Sequence, residues 1–173
     1  FSGFYFIFNS YYFVDNNLTM KGNYCSVIVI CSTFNGQKYL KEQIDSLFHQ
    51  SYKDFKLLFR DDGSVDGTKE ILSSCNIELL FSSENLGVKK SFETLLKYAS
   101  ENSDAKYFVF CDQDDVWNHD KIERTLEKMH ELENLYGDNI PLLVHSDLEV
   151  VNEKLETLSS SMWKSEHINP RAN

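Results

Sequence analysis

Asp112, Asp114 and Asp115 put three carboxylates within four residues, directly after the apolar run Tyr107-Phe108-Val109-Phe110-Cys111 and before Val116-Trp117. Carboxylates this close repel one another, so folding must leave them in water or gather them round a cation that takes oxygen ligands. A divalent metal is the economical chemistry. An acidic turn without a ligand is the competing reading, because Asp is common in loops. Two other polar clusters have related potential: Ser32-Thr33-Phe34-Asn35-Gly36, and Asp61-Asp62-Gly63-Ser64-Val65-Asp66-Gly67-Thr68. A carboxylate such as Asp62 can accept the imide N–H of uracil or thymine, Phe34 can stack beside the base, and Asp112 or Asp114 can hold a metal that bridges a diphosphate. Lys89 and Lys90, just after Asn85-Leu86-Gly87, are either cations for that diphosphate or a solvated helix face.

These clusters need elements that bring them together. Tyr107 to Cys111 is too short for a helix and rich in strand formers, which predicts a strand buried on both faces. Val27-Ile28-Val29-Ile30-Cys31, Phe55-Lys56-Leu57-Leu58-Phe59, Ile77 to Phe81 and Leu142-Leu143-Val144-His145 predict four more. Between them lie helical faces: Leu40, Ile44, Leu47 and Phe48; Ile71, Leu72 and Cys75; Val88, Phe92, Leu95, Leu96 and Ala99; Ile122, Leu126, Met129 and Leu132. Strand and helix alternate throughout, so the expected class is α/β, a mainly parallel sheet with helices on both faces. In such a sheet the polar clusters all follow strand ends and converge on one crevice.

Composition excludes several functions. With 17 Lys+Arg against 27 Asp+Glu the net charge is -10, whereas a nucleic-acid binder needs a basic face, so nucleic acid is not an expected partner. Neither a G-x-G-x-x-G after the first strand nor a G-x-x-x-x-G-K-[ST] occurs, so dinucleotide and P-loop readings lack their phosphate cradles. A calcium-binding loop on Asp112, Asp114 and Asp115 fails too, because Val116-Trp117 stands where polar ligands are needed. Cys25, Cys31, Cys75 and Cys111 form no C-x-x-C pair and read as reduced thiols of a cytosolic protein. Residues 1–19 have no basic leading region or small-residue cleavage site and are set outside the fold as an N-terminal extension, leaving 20–173 as one compact unit.

Strand-Ser-Thr-Phe-Asn-Gly, Asp-Asp-Gly-Ser-x-Asp-Gly-Thr, Asn-Leu-Gly and Asp-Gln-Asp-Asp-x-Trp, in this order and spacing, resemble the family 2 glycosyltransferases of the GT-A fold over residues 24–165. The resemblance implies a Rossmann-like nucleotide-diphospho-sugar transferase fold and inverting transfer of a hexose from a UDP- or dTDP-sugar donor to a glycan or polysaccharide acceptor. Asp112 to Trp117, with His145-Ser146-Asp147-Leu148 and Met162-Trp163-Lys164, is more similar to the rhamnosyltransferase branch, which implies rhamnose as donor sugar. Carried over by residue, Asp62 matches the carboxylate that reads the pyrimidine, and Ser32, Phe34 and Asn35 match the first nucleotide-contacting loop. Asp114 matches the direct ligand of Mn2+ or Mg2+, and Asp112 the acidic residue near ribose or metal-bound water. Asp115 either caps the turn or orients an acceptor, and Trp117 either packs or stacks on a sugar.

The same resemblance puts the general base well downstream of the metal motif, so the catalytic base is expected beyond Asn173 and the fold is expected to be incomplete at its C-terminus. Asp147 then shapes the acceptor side rather than acting as base, and apolar surface is expected near residues 142–165. The implied setting is cytoplasmic, at the inner face of the membrane, with peripheral attachment through parts not in this chain. The alternative class is a module that binds nucleotide-sugar and metal without catalysing transfer.

Overall fold

In the computed structural model, residues 7–9, 25–137 and 139–166 are described, residues 7–9 by backbone alone. The β-branched and aromatic runs form β2 (Val27–Thr33), β3 (Phe55–Asp62), β4 (Glu78–Ser82) and β5 (Tyr107–Cys111). These four are mutually parallel, in the spatial order β4-β3-β2-β5. Successive residues of a strand face opposite sides, and the sequence exploits both. Val27, Val29, Cys31, Leu57, Phe59, Val109 and Cys111 pack on one side, under α1 (Leu40–Phe48), α2 (Thr68–Ser73) and α4 (Lys121–Tyr136). Ile28, Ile30, Leu58 and Phe108 pack on the other, under Leu95 and Ala99 of α3 (Val88–Asn102). Helices therefore cover both faces, as the alternation of elements predicts.

At the β5 edge the sheet continues differently. Ile7–Asn9 forms β1, antiparallel to β5 and to β6 (Leu143–Val144), so part of the stretch set apart as an extension is a strand of the sheet. The remainder of residues 1–19 lies outside the described residues. β6 is shorter than the predicted Leu142 to His145, and the His145 ring packs on Trp163 with 5.4 Å between centroids. After it comes a hairpin, β7 (Val150–Val151) and β8 (Thr157–Ser159), then the single turn α5 (Met162–Ser165). Its connecting turn is closed by Asn152, whose Oδ1 accepts from the N–H groups of Lys154 (2.9 Å) and Glu156 (3.0 Å).

Two stripe positions differ from the helical prediction. Phe48 and Val88, the last residue of α1 and the first of α3, are 46% and 71% exposed. End residues lie beyond the reach of the sheet, and the faces proper are carried by Leu40, Ile44 and Leu47 and by Leu95 and Ala99. Exposed apolar residues do occur around the expected 142–165 region: Leu143, Val151, Leu155 and Leu158. Among the described residues no helix is long and apolar enough to cross a membrane.

Candidate functional site

Because β2, β3 and β5 run parallel, the three polar clusters leave the sheet at one edge, where Cys31 is level with Phe59 and with Cys111. Side-chain hydrogen bonds then lace them together. The Gln113 amide accepts from the Phe34 N–H at 2.9 Å and donates to the Phe34 carbonyl at 3.1 Å, closing the β5 loop onto the β2 loop. The Asn35 N–H donates to Ser64 Oγ (2.8 Å), and Asn35 Oδ1 accepts from the Val65 N–H (3.0 Å), closing the β2 loop onto the β3 loop. Gly36 N–H to Thr68 Oγ1, at 2.8 Å, is a third tie. Phe34 is left with its backbone fixed and its ring 44% exposed, the state in which a ring can stack on a base.

Asp62 is 2% exposed and held from three sides. Arg60 Nη1 pairs with its Oδ1, the Leu86 N–H donates to Oδ1 (2.9 Å), and the Gly87 N–H donates to Oδ2 (2.8 Å). Burial alone raises its pKa; Arg60 and the two amides outweigh that and hold it below the usual carboxylate range. A carboxylate offers about four acceptor positions, so Oδ2 keeps one for a further donor. Gly87 is at φ 78, a backbone state that favours glycine, and this lets its N–H turn toward Asp62 at the start of α3. Ser32, expected in the nucleotide loop, instead donates to Ser91 Oγ (2.6 Å), which also accepts from Arg60 Nη1 (2.9 Å). Ser32 therefore braces Asp62 through Arg60. Lys89 and Lys90 are exposed on the first turn of α3.

Asp112 is half-buried and Asp114 exposed. Burial, and then the charge of Asp114, raise Asp112 to about 6. Burial also raises Asp115 to about 6, with Lys121 partly offsetting it. Among the described residues no group of three or more His, Cys, Asp and Glu could enclose a metal. Two adjacent carboxylates, one of them disfavoured as an anion by its neighbour, nevertheless suit Mg2+ or Mn2+, which takes one or two carboxylates and completes its shell with phosphate and water. The residues present therefore fit such an ion.

Other expectations resolve differently. Asp115 caps no helix: α4 starts at Lys121 with Asp120 at its N-cap, and Asp115 Oδ2 is buried without a hydrogen-bond partner. Trp117 packs, being 5% exposed within the core. Asp147 is spent on local structure, accepting from Ser161 Oγ and from the N–H groups of Trp163 (3.0 Å) and Leu148 (2.8 Å), which hold it below the usual range against burial. Arg60, Ser91 and Gln113 are the site residues that sequence reasoning missed. Gln113 had a signal, an amide set between carboxylates in a strand-end loop; Arg60 and Ser91 had none.

Two outcomes follow from this geometry. A Cβ on Gly36 would stand 2.9 Å from Gln113 Cδ, so Gly36→Ala is expected to displace that amide and break its pair with Phe34. Stability should fall by about 1–2 kcal/mol, and ligand affinity at this edge should fall further, measured by thermal melts and by titration. The second concerns pH. The folded pKa values of Asp112 and Asp115 lie above the unfolded value of about 3.9, so their cost to folding is absent below about pH 4 and complete above about pH 6. In chelator the chain should melt higher at pH 5 than at pH 7, by on the order of 2 kcal/mol, and Mn2+ at pH 7 should narrow the gap. Asp62 and Asp147, with lowered pKa values, retain their stabilisation at pH 5 and lose it only as pH falls through their folded values.

The fold is an open α/β sheet with carboxylates and amide-bearing loops at its C-terminal edge, the place where such sheets bind ligands. Residues 26–164 match the family described as Glycosyl transferase family 2, and the chain belongs to that family. It is 34% identical to the dTDP-rhamnosyl transferase RfbG of Shigella flexneri, over 63% of this chain and 40% of that protein. It is 31% identical to the UDP-Glc:alpha-D-GlcNAc-diphosphoundecaprenol beta-1,3-glucosyltransferase WfgD of Escherichia coli, over 65% of this chain and 45% of that protein. Among solved structures, TarS residues 1–349 of S. aureus in complex with UDP-GlcNAc superposes with a TM-score of 0.55 at 26% identity, covering 61% of this chain and 31% of that one. The chain thus spans about two-fifths of the length of the curated relatives it matches.

Proposed function

We propose that this chain is the donor-binding region of an inverting glycosyltransferase that moves a hexose from a UDP- or dTDP-sugar to a glycan or polysaccharide acceptor. The observation that carries this reading is the convergence of Phe34, Asn35, Asp62, Asp112 and Asp114 at one sheet edge, fixed there by the Gln113, Ser64 and Arg60 contacts. Asp62 Oδ2 accepts the pyrimidine imide N–H, Phe34 stacks on the base, and Asp112 and Asp114 hold Mn2+ or Mg2+ beside the diphosphate. When bound, that ion supplies charge neutralisation to the leaving diphosphate. The chain's own residues bind and orient the donor, and the ties between loops keep that geometry set before it arrives. Asn35 has already committed its amide oxygen to Val65, so its part is to shape the loop. The Ser32 hydroxyl, in the first nucleotide-contacting loop, also braces Asp62 through Ser91 and Arg60.

Relatives carry different donors in their names, dTDP-rhamnose-type for RfbG and UDP-glucose for WfgD, which supports a pyrimidine nucleotide as the shared requirement. Rhamnose is the favoured sugar on the identity to RfbG. The acceptor named for WfgD carries a diphosphoundecaprenol, which supports action at a membrane surface. The second reading, binding without transfer, is favoured by one observation: Asp147, the carboxylate that follows β6, has its oxygens engaged by Ser161, Leu148 and Trp163. Incubating the chain with UDP-glucose or dTDP-rhamnose, Mn2+ and a lipid-linked glycan separates the two. Acceptor-dependent release of the diphosphate, by this chain or by a longer chain carrying the expected downstream base, supports the transferase reading, and nucleotide binding without release by both supports the module.

A further inference from the structure

The acidic loop after β5, residues 112–116, is tied to the β2 loop through Gln113, but its downstream end is held by a different element, α1. Ser46 on α1 and Gln50 just past its end turn polar side chains onto the segment that joins the loop to α4. Ser46 Oγ accepts from the Trp117 N–H at 3.0 Å and donates to the Gln43 carbonyl at 2.7 Å. Gln50 is fully buried, with both faces of its amide engaged: Nε2 donates to the Asn118 carbonyl (2.8 Å) and to the Ser46 carbonyl (3.1 Å), and Oε1 accepts from the Ile122 N–H (3.1 Å). The Ser51 N–H adds a bond to the His119 carbonyl at 2.7 Å. Ile122 lies in the first turn of α4, where backbone N–H groups have no partner within the helix and an N-cap side chain usually supplies one. Asp120, the N-cap residue, supplies none. Gln50 does so from another element and thereby locks the start of α4 to the end of α1.

Asp112 and Asp114 are like charges on one short loop and repel one another, so the loop does not hold their separation by itself. A site that had to order this loop on binding would lose affinity by the cost of ordering it. We propose that Gln50 and Ser46 are positioning residues for the metal: by pinning Trp117, Asn118 and Ile122 they set the downstream end of loop 112–116, so that Asp112 and Asp114 stand ready for Mn2+ and a diphosphate. Both act through the loop backbone. This inference rests on the donor-site reading and adds to it what presets the metal half of the site. Gln43 provides the contrast. It is fully buried on the same helix, but its Nε2 reaches Cys111 Sγ, a weak acceptor on β5, and its Oε1 has no hydrogen-bond partner, so it does not hold the linking segment.

Hydrogen exchange of the full chain, followed by NMR in chelator, reads the clamp without the metal. In the wild type the Trp117 and Ile122 amides are expected to be as protected in chelator as with Mn2+ and UDP. Ser46→Ala should speed exchange at Trp117, and Gln50→Met at Ile122, by about tenfold, the usual cost of leaving one buried N–H without its acceptor, beyond any change in the β2 amides, which report global opening. Calorimetry with UDP in Mn2+ should show affinity weakened by about tenfold in both variants, as their loops must be ordered on binding. Ser46→Thr, which keeps the hydroxyl, should restore protection and affinity, and Gln43→Leu should leave both as in the wild type. Should Gln50→Met fail to fold, the two Ser46 variants decide. Unchanged exchange in Ser46→Ala, lost protection with UDP affinity intact, or an equal loss in Gln43→Leu would overturn the clamp. Wild-type chain that does not bind UDP in Mn2+ would instead overturn the donor-site reading, and exchange in chelator would still decide whether Ser46 and Gln50 hold the loop.

Discussion

Asp62→Ala is expected to cost the folded chain about 3–5 kcal/mol, the usual consequence of removing one partner from a buried ion pair. Arg60 is 4% exposed and would be left with a buried charge whose remaining contact of note is the Ser91 hydroxyl. The Leu86 and Gly87 N–H groups would lose their acceptor as well, freeing the loop that opens α3. A urea melt measures this directly, and a loss below 1 kcal/mol would show that the network does not hold the site. Because Ala removes fold and function together, base recognition is read from Asp62→Asn, which keeps the shape and an acceptor for one N–H. Its preference for UDP over GDP should shrink, with affinity for UDP down by about 1.5–3 kcal/mol, the worth of a hydrogen bond to a charged group.

Asp114→Ala is expected to have the opposite profile. Asp114 is exposed, so its loss should move stability by no more than about 0.5 kcal/mol. Binding of a nucleoside diphosphate in Mn2+ should fall to the level seen in chelator, because a chain of net charge -10 would then present the diphosphate with unrelieved carboxylate charge. Calorimetry with UDP in Mn2+ provides the measurement. A variant that binds UDP as wild type does would remove Asp114 from the proposed metal site.

The order of elements was legible because β2 and β5 are continuous apolar runs at their cores, β3 and β4 are apolar apart from Lys56 and Glu78 and their polar ends, and each helix carries its stripe at regular spacing. Phe59, Val109 and Leu95 were readable as core on those grounds, and they are buried. The convergence of the polar clusters followed from parallel topology alone. What was not legible depends on direction rather than residue type. Ser32 looks from sequence like part of a ligand loop, yet its hydroxyl turns to Ser91 on α3, fifty-nine residues away in the chain. Arg60 ends an apolar strand, where nothing in the sequence says that its side chain folds back beneath Asp62. The β7–β8 hairpin was missed because Glu149 to Glu156 is polar and lacks strand alternation, its turn being set by the Asn152 side chain. Ile7–Asn9 reads as part of an aromatic extension, and only the pairing with β5 and β6 makes it a strand.

The central claim is that Asp62 and the Asp112–Asp114 pair form one pyrimidine nucleoside diphosphate site that requires a divalent cation. Calorimetric titration of the full chain with UDP, dTDP and GDP, each in Mn2+ and in chelator, tests it most directly. Saturable binding of UDP and dTDP in Mn2+, lost in chelator and at least tenfold weaker for GDP, is the predicted result; binding unchanged by chelator, or GDP bound as tightly as UDP, would contradict it.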